Sequence, residues 1–215
     1  MITEALSNVR AVIFDMDGTM VDNMMVHHRA WQVKLRELGM DLPLEEIRAK
    51  VHGINEEILE RLFGEQLTPD ERRRHSFEKE KAYREIFKDS LVLVEGLDVY
   101  LEEIRSRGIK MAIGSAAPPE NVDFVLDTLQ IRHLFDAILH ARNVKKGKPD
   151  PEIYLSLMEI LGFSPSEVLI FEDSPVGAEA AVRSGARTIV INTTHEKEEF
   201  DHLPEIIGFI RNFKC

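Results

Sequence analysis

Two short acidic patterns in the chain have the residue types and spacing to do chemistry. FDMDGT places Asp15 and Asp17 two residues apart and follows them at once with Gly18. If an extended strand ran through both, their side chains would share one face, and a turn at Gly18 would let backbone amides approach a ligand. VLIFED ends a second apolar run in Glu172-Asp173. A third run ends in Gly114-Ser115, and Lys145-Lys146-Gly147-Lys148-Pro149 adds a basic cluster. Adjacent carboxylates at the end of an apolar strand fit a metal or catalytic site better than a capped acidic turn.

A charge count narrows the chemistry. Ionised, Asp15, Asp17, Glu172 and Asp173 bring about −4, which Lys148 alone does not balance. A divalent cation is called for, and oxygen-only ligands with positions left for water and substrate point to Mg²⁺ rather than zinc or copper. With the cation and Lys148 in place the set carries about −1, or about zero with Asp17 protonated, which admits an anion such as a phosphate. Phosphoryl transfer is the expected reaction class.

The elements that must position these groups are legible in outline. Apolar, β-rich runs at Val9 to Phe14, Lys110 to Gly114, Ala137 to Leu139, Val168 to Phe171 and Thr188 to Ile191 lack strict alternation. Such runs suit strands buried on both faces of a parallel sheet. Between the later ones lie helices with readable starts and stops: Pro119 with Val122, Val125, Leu126 and Leu129 on one face, a helix opened by Asp150-Pro151-Glu152 and closed by Gly162, and one opened by Ser174-Pro175. Alternation of strand and helix predicts a doubly wound, Rossmann-like α/β fold whose ligands bind at the carboxyl edge of the sheet.

About 95 residues separate the first two strands, far more than a crossover needs. An inserted helical domain is predicted there, with Trp31, Leu35 and Leu38, then Leu44, Ile47 and Val51, then Ile58, Leu59 and Leu62 at helical spacing. Thr68-Pro69-Asp70-Glu71 combines an N-cap, a first-turn proline and a capping-box glutamate, opening a fourth helix that runs to about Asp89. The charge run along that helix reads as a solvated face.

Composition sets the outer limits. The chain has 215 residues, 44% hydrophobic and 30% charged, with a net charge of −11; this is a globular composition whose negative field disfavours nucleic acid and anionic lipid. The single cysteine, Cys215, excludes an internal disulfide and a cysteine-ligated zinc site. No signal peptide or membrane helix is read, and a cytoplasmic location is expected.

In order along the chain, FDMDGTMVD, IGSAA, KKGKPDPEIY and LIFEDSPVGAEAA closely resemble the four motifs of the haloacid dehalogenase-like superfamily, and they bracket essentially the whole sequence. The helical insertion resembles the cap of the β-phosphoglucomutase and phosphatase branch, which implies an α/β core over 1–21 and 92–215 and a cap over 22–91. The resemblance makes Asp15 the nucleophile that forms an aspartyl-phosphate and Asp17 the general acid and base. It makes Ser115 and Lys148 the partners of the transferring phosphoryl group. Mg²⁺ is then held by the Asp15 carboxylate, the Asp17 main-chain carbonyl and Asp173, with Glu172 reaching it through water or standing behind the ligands. Gly18, Thr19 and Ala116 fall in the substrate-contacting parts of these motifs, and Lys145 and Lys146 are expected to be solvated.

In the cap, VHHRAW resembles the segment in which a histidine at the place of His27 faces the leaving group; His27 shares a helix face with Trp31, and His28 points elsewhere. The segment His52-Gly53-Ile54-Asn55-Glu56 resembles the loop that reads substrate, which implies substrate-binding roles for Gly53, Asn55 and Glu56. It departs from the mutases, which carry an arginine where Glu56 stands and a serine and lysine where this chain has Ala117 and Pro118. A carboxylate there repels a second phosphate. The expected activity is therefore that of a Mg²⁺-dependent phosphatase of a small phosphorylated metabolite, a sugar phosphate foremost. β-Phosphoglucomutase is the alternative enzyme, and a non-catalytic phosphometabolite-binding protein is the alternative from another class. A monomer is expected.

Overall fold

The computed structural model of the protein describes residues 2–51 and 53–214; Met1, His52 and Cys215 lie outside the described residues. The chain divides into two compact units, Met1–Asp22 with Leu91–Cys215, and Asn23–Ser90.

In the first unit, six strands among the described residues form one parallel sheet: β1 (Ala11–Phe14), β2 (Lys110–Gly114), β3 (Ala137–Leu139), β4 (Val168–Glu172), β5 (Arg187–Ile191) and β6 (Gly208–Ile210), in the order 3-2-1-4-5-6. The central strand β1 sets Ala11 beside Lys110 of β2 and beside Val168 of β4. Both β1 and β4 are buried along their whole length, which is why they read as unbroken apolar runs. β6 was not expected; it is three residues long and opens on Gly208, which weakens a strand signal. Val9 and Arg10, expected in β1, precede it.

Helices α1 (Ile2–Ala5), α6 (Leu97–Ser106), α7 (Pro119–Thr128), α8 (Glu152–Leu161) and α9 (Pro175–Arg183) complete this unit. α7 buries Val122, Val125 and Leu126. α8 stops at Gly162, whose φ of 75° suits a residue without Cβ. Ser174 caps α9 by accepting from the Gly177 N–H at 3.1 Å.

The period of two along the strands sorts the core into two faces. Ala11 and Ile13 of β1 and Val168 and Ile170 of β4 pack with Tyr154 and Leu157 of α8. On the other face, Phe14 stacks on Phe171 with ring centroids 5.3 Å apart, and Phe213 and Tyr100 close the aromatic group. The same count puts Glu172, the last residue of β4, and Asp15, one step beyond β1, on the α8 face.

The second unit is built from α2 (Met24–Glu37), α3 (Leu44–Lys50), α4 (Asn55–Phe63) and α5 (Pro69–Phe87). Trp31, Leu35, Ile47, Val51, Ile58 and Leu59, all read from helical spacing, meet Phe63 and Leu67 in its core. The Thr68–Glu71 capping box forms as expected. The charge run that follows is not solvated throughout: Lys79 and Glu80 are buried with Tyr83 and Phe87. α5 packs against both α2 and α4, and the face shared between them takes in more of its circumference than an exposed helix would give up. Among the described residues no helix is long and apolar enough to cross a membrane.

Candidate active site

The carboxyl edge of the sheet collects the expected charges around Lys148. Its Nζ donates to Asp15 Oδ1 at 2.5 Å and to Glu172 Oε1 at 2.6 Å. Glu172 is fully buried and its two oxygens are heavily used. Oε1 also accepts from the Tyr154 hydroxyl at 2.6 Å, and Oε2 accepts from the Asp173 N–H at 3.0 Å and from the Ser174 N–H and hydroxyl, both at 3.3 Å. A buried charge is tolerable when paired and hydrogen-bonded in this way. The Lys148 ammonium further stands 5.0 Å from the Tyr154 ring centroid, within the range of cation–π attraction.

Asp15, Glu172 and Asp173 each offer a carboxylate oxygen, and these atoms lie within 4.8 Å of one another. An all-oxygen, buried, acidic cluster of this kind can hold a hard metal ion. Three carboxylates face one ammonium, and the proton affinities record the imbalance. Burial pushes the Asp15 carboxyl up to about 8, against the pull of Lys148, with Glu172 and Asp17 adding to the rise. Burial also carries Asp173 well above the carboxylate range, reinforced by Glu172 and Asp15. Burial works to lower Lys148, but Asp15 and Glu172 outweigh it and hold the ammonium charged.

Two glycines make this packing sterically feasible. A Cβ on Gly18, whose φ is 82°, would fall 2.0 Å from Asp173 Oδ2. One on Gly177, in the first turn of α9, would fall 1.9 Å from Glu172 Oε1. Both carboxylates occupy space that any other residue would fill. The Gly18 turn is also tied from a distant loop, its carbonyl accepting from the Thr193 hydroxyl at 2.5 Å.

β1 ends at Phe14, as read from the sequence, and the chain turns beyond it, with the Thr19 and Met20 N–H groups both bonding to the Met16 carbonyl. Asp17 is half-buried, and its carboxylate lies outside the group formed by Asp15, Glu172 and Asp173. Its backbone forms a β-bridge with Val21. Thr19 is buried, and its hydroxyl has no hydrogen-bond partner among the described residues. Ser115 is buried at the end of β2, where its Oγ accepts from the Ala117 N–H at 3.0 Å; Ala116 is exposed. Lys145 and Lys146 are exposed, and their N–H groups donate to the Glu152 carboxylate, both at 2.9 Å. Glu152 thereby fixes the loop that carries Lys148.

Tyr154, Glu152, Gly177 and Thr193 were not singled out from the sequence. Tyr154 has the spacing of a core residue of α8, and that signal hides its hydroxyl. In the second unit, Gly53 and Glu56 are exposed and Asn55 is half-buried, donating to Glu80 Oε1 at 2.6 Å. Glu56 lies in the first turn of α4, where the helix dipole favours an acid. His27 stacks on Tyr83 with centroids 4.0 Å apart. His28 is buried too, because α2 packs on both α3 and α5.

Known proteins resemble this chain in sequence and in fold. A phosphorylated carbohydrates phosphatase of Thermotoga maritima is 31% identical over 186 residues, covering 84% of each chain. The crystal structure of a HAD hydrolase, family IA, variant 3 from Entamoeba histolytica superimposes with a TM-score of 0.87 at 26% identity, over 95% of this chain and 94% of the other. That of a β-phosphoglucomutase from Clostridium difficile gives 0.80 at 25%, over 95% and 92%. The family model described as haloacid dehalogenase-like hydrolase matches residues 9–185, a span that begins just ahead of β1, takes in every charged group at the sheet edge and closes after α9. A chain with this sheet order, this acidic cluster and that match belongs to the haloacid dehalogenase-like hydrolases, in their β-phosphoglucomutase-like branch.

Proposed function

We propose that the protein is a Mg²⁺-dependent phosphatase of a small phosphorylated metabolite, a sugar phosphate foremost, working through an aspartyl-phosphate on Asp15. The observation that carries this reading is the buried cluster of Asp15, Glu172 and Asp173 around Lys148. The similarity to a phosphatase of phosphorylated carbohydrates supports the substrate class. Mg²⁺ at the carboxylates would offset their charge and that of the entering phosphate.

An Asp15 carboxylate oxygen attacks phosphorus, and the bond from phosphorus to the substrate's alkoxy oxygen breaks. Asp17 gives the departing alkoxide its proton, then takes one from the water that attacks the phosphorus of the aspartyl-phosphate. That second displacement regenerates the Asp15 carboxylate and frees inorganic phosphate. Lys148 spreads its donors over Asp15 and the phosphoryl oxygens, and the Ser115 hydroxyl donates to the same oxygens. Gly18 and Thr19 supply backbone close to the phosphoryl group. This chain carries Glu56, Ala117 and Pro118 where the mutases it resembles have an arginine, a serine and a lysine for the second phosphate, which weighs against the mutase.

The test is phosphate release from a panel of sugar phosphates, phosphoglycolate and pyrophosphate, with Mg²⁺ and with EDTA. Release that needs Mg²⁺ and ranks a sugar phosphate first by kcat/KM is expected. Absence of release from every compound overturns the proposal.

A further inference from the structure

Gly18 is buried, so its carbonyl is a polar group that the fold has to satisfy. The donor comes from 175 residues away: it is the Thr193 hydroxyl, at 2.5 Å. Thr193 stands just beyond β5, where the chain is fixed on either side of it. The Asn192 N–H donates to the Ile210 carbonyl of β6 at 2.8 Å, and the Asn192 side-chain amide donates to the His195 carbonyl at 2.9 Å. The Thr193 N–H closes a tight turn on the Ile191 carbonyl at 3.1 Å. Other bonds of the turn after β1 run between main-chain groups. The Gly18 N–H donates to the Val21 carbonyl at 2.8 Å, the Met20 N–H to the Met16 carbonyl at 2.9 Å, and the Val94 N–H to the Met20 carbonyl at 2.8 Å. Any residue but proline makes such bonds, whereas the bond to the Gly18 carbonyl needs a hydroxyl at position 193.

Glycine accepts either sign of φ, so the Gly18 backbone does not by itself fix which way the Gly18–Thr19 peptide faces. One rigid plane carries the Gly18 carbonyl and the Thr19 N–H, and a donor anchored on that carbonyl sets the direction of both. We infer that Thr193 is a positioning residue whose hydroxyl holds this peptide in one orientation, and with it the two residues that flank Gly18, Asp17 and Thr19. Without the hydroxyl a buried carbonyl is left unpaired, and rotation of the peptide toward another donor relieves the cost. Asp173 makes the orientation matter. Its carboxylate fills the space that a Gly18 Cβ would take, so a shift of the turn moves against a member of the acidic cluster. The effect on turnover rests on the phosphatase reading, in which Asp17 moves the proton; the hold on the peptide does not.

Native-state amide hydrogen exchange of the whole protein, read by NMR, tests the hold on the turn. Thr193→Val keeps the shape of the side chain and removes its hydroxyl. The Gly18, Thr19 and Met20 amides are expected to exchange about fivefold faster in that variant, the loss of one hydrogen bond, while the amides of β4 keep their rates. Thr193→Ser, which retains the donor, should restore the native rates. Unchanged exchange at the turn, or a rise shared equally by β4, overturns the inference. Should Thr193→Val fail to fold, Thr193→Ser set against Thr193→Ala isolates the hydroxyl in the same measurement. Turnover is then assayed on the sugar phosphate that the wild type hydrolyses best. A kcat about fivefold lower in Thr193→Val, with KM nearly unchanged and Thr193→Ser close to wild type, is expected. Faster exchange with an unchanged kcat overturns the role in turnover. Wild-type protein that releases phosphate from no compound of the panel refutes the phosphatase reading and the effect on turnover with it, while hydrogen exchange still decides whether Thr193 holds the turn.

Discussion

Asp15 is held by Lys148 yet contributes little to packing, so Asp15→Asn is expected to lower turnover by about 10³-fold or more while leaving the fold in place. Circular dichroism beside phosphate release checks both halves, and wild-type rates would remove Asp15 from the reaction. His28 carries a different consequence. Burial lowers its pKa below 6.5, and Arg48, His27 and Lys79 add to the effect; its Nδ1 has no hydrogen-bond partner among the described residues. The folded state therefore binds fewer protons than the unfolded chain below pH 6.5, and the stability present above that value is lost as pH falls through the depressed pKa. Melting temperature should drop on acidification in that window, and His28→Gln should flatten the drop. An identical pH slope in the variant would show that His28 does not drive it.

Helix α5 is opened by a complete capping box, with Glu71 held below the usual carboxylate range by the Thr68 N–H and hydroxyl. Thr68→Ala should cost about 1 kcal/mol of stability without altering turnover, as read by denaturant titration and phosphate release. This element was legible because its signal is local: cap, proline and glutamate fall within four residues. Strands β1, β2 and β4 were legible for a related reason, since burial on both faces leaves mostly apolar residues to read. The burial of Lys79 and Glu80 was hidden because it depends on which helices surround α5, and no spacing within α5 reports that. Tyr154 shows the same limit, its hydroxyl being drawn to Glu172 from a helix position that reads as core. For Asp17 the motif and the end of β1 at Phe14 were both visible, but the turn beyond the strand, in which the Thr19 and Met20 N–H groups bond to the Met16 carbonyl, was not.

For the molecule as a whole, the proposed cation at the cluster of Asp15, Glu172 and Asp173 would bind the folded chain and not the unfolded one. Mg²⁺ should raise the melting temperature, with about 2.7 kcal/mol of added stability at a hundred times its dissociation constant. Asp173→Asn should blunt that response in a calorimetric titration, and an undiminished response would place the ion elsewhere. The position of β1 bears on how the chain is made. It lies between β2 and β4, so this strand, made ahead of the rest of the sheet, finds its second neighbour only after residue 172 has been added. At about 5–20 residues per second that wait is on the order of 10–30 s. The helical unit, encoded within the gap between β1 and β2, makes its core from contacts inside residues 23–90 and can close early. Ala11 to Phe14, a wholly apolar strand, has two open edges until β2 is made and one until β4 follows, the stage of synthesis at which this chain is most exposed to aggregation and to capture by a chaperone.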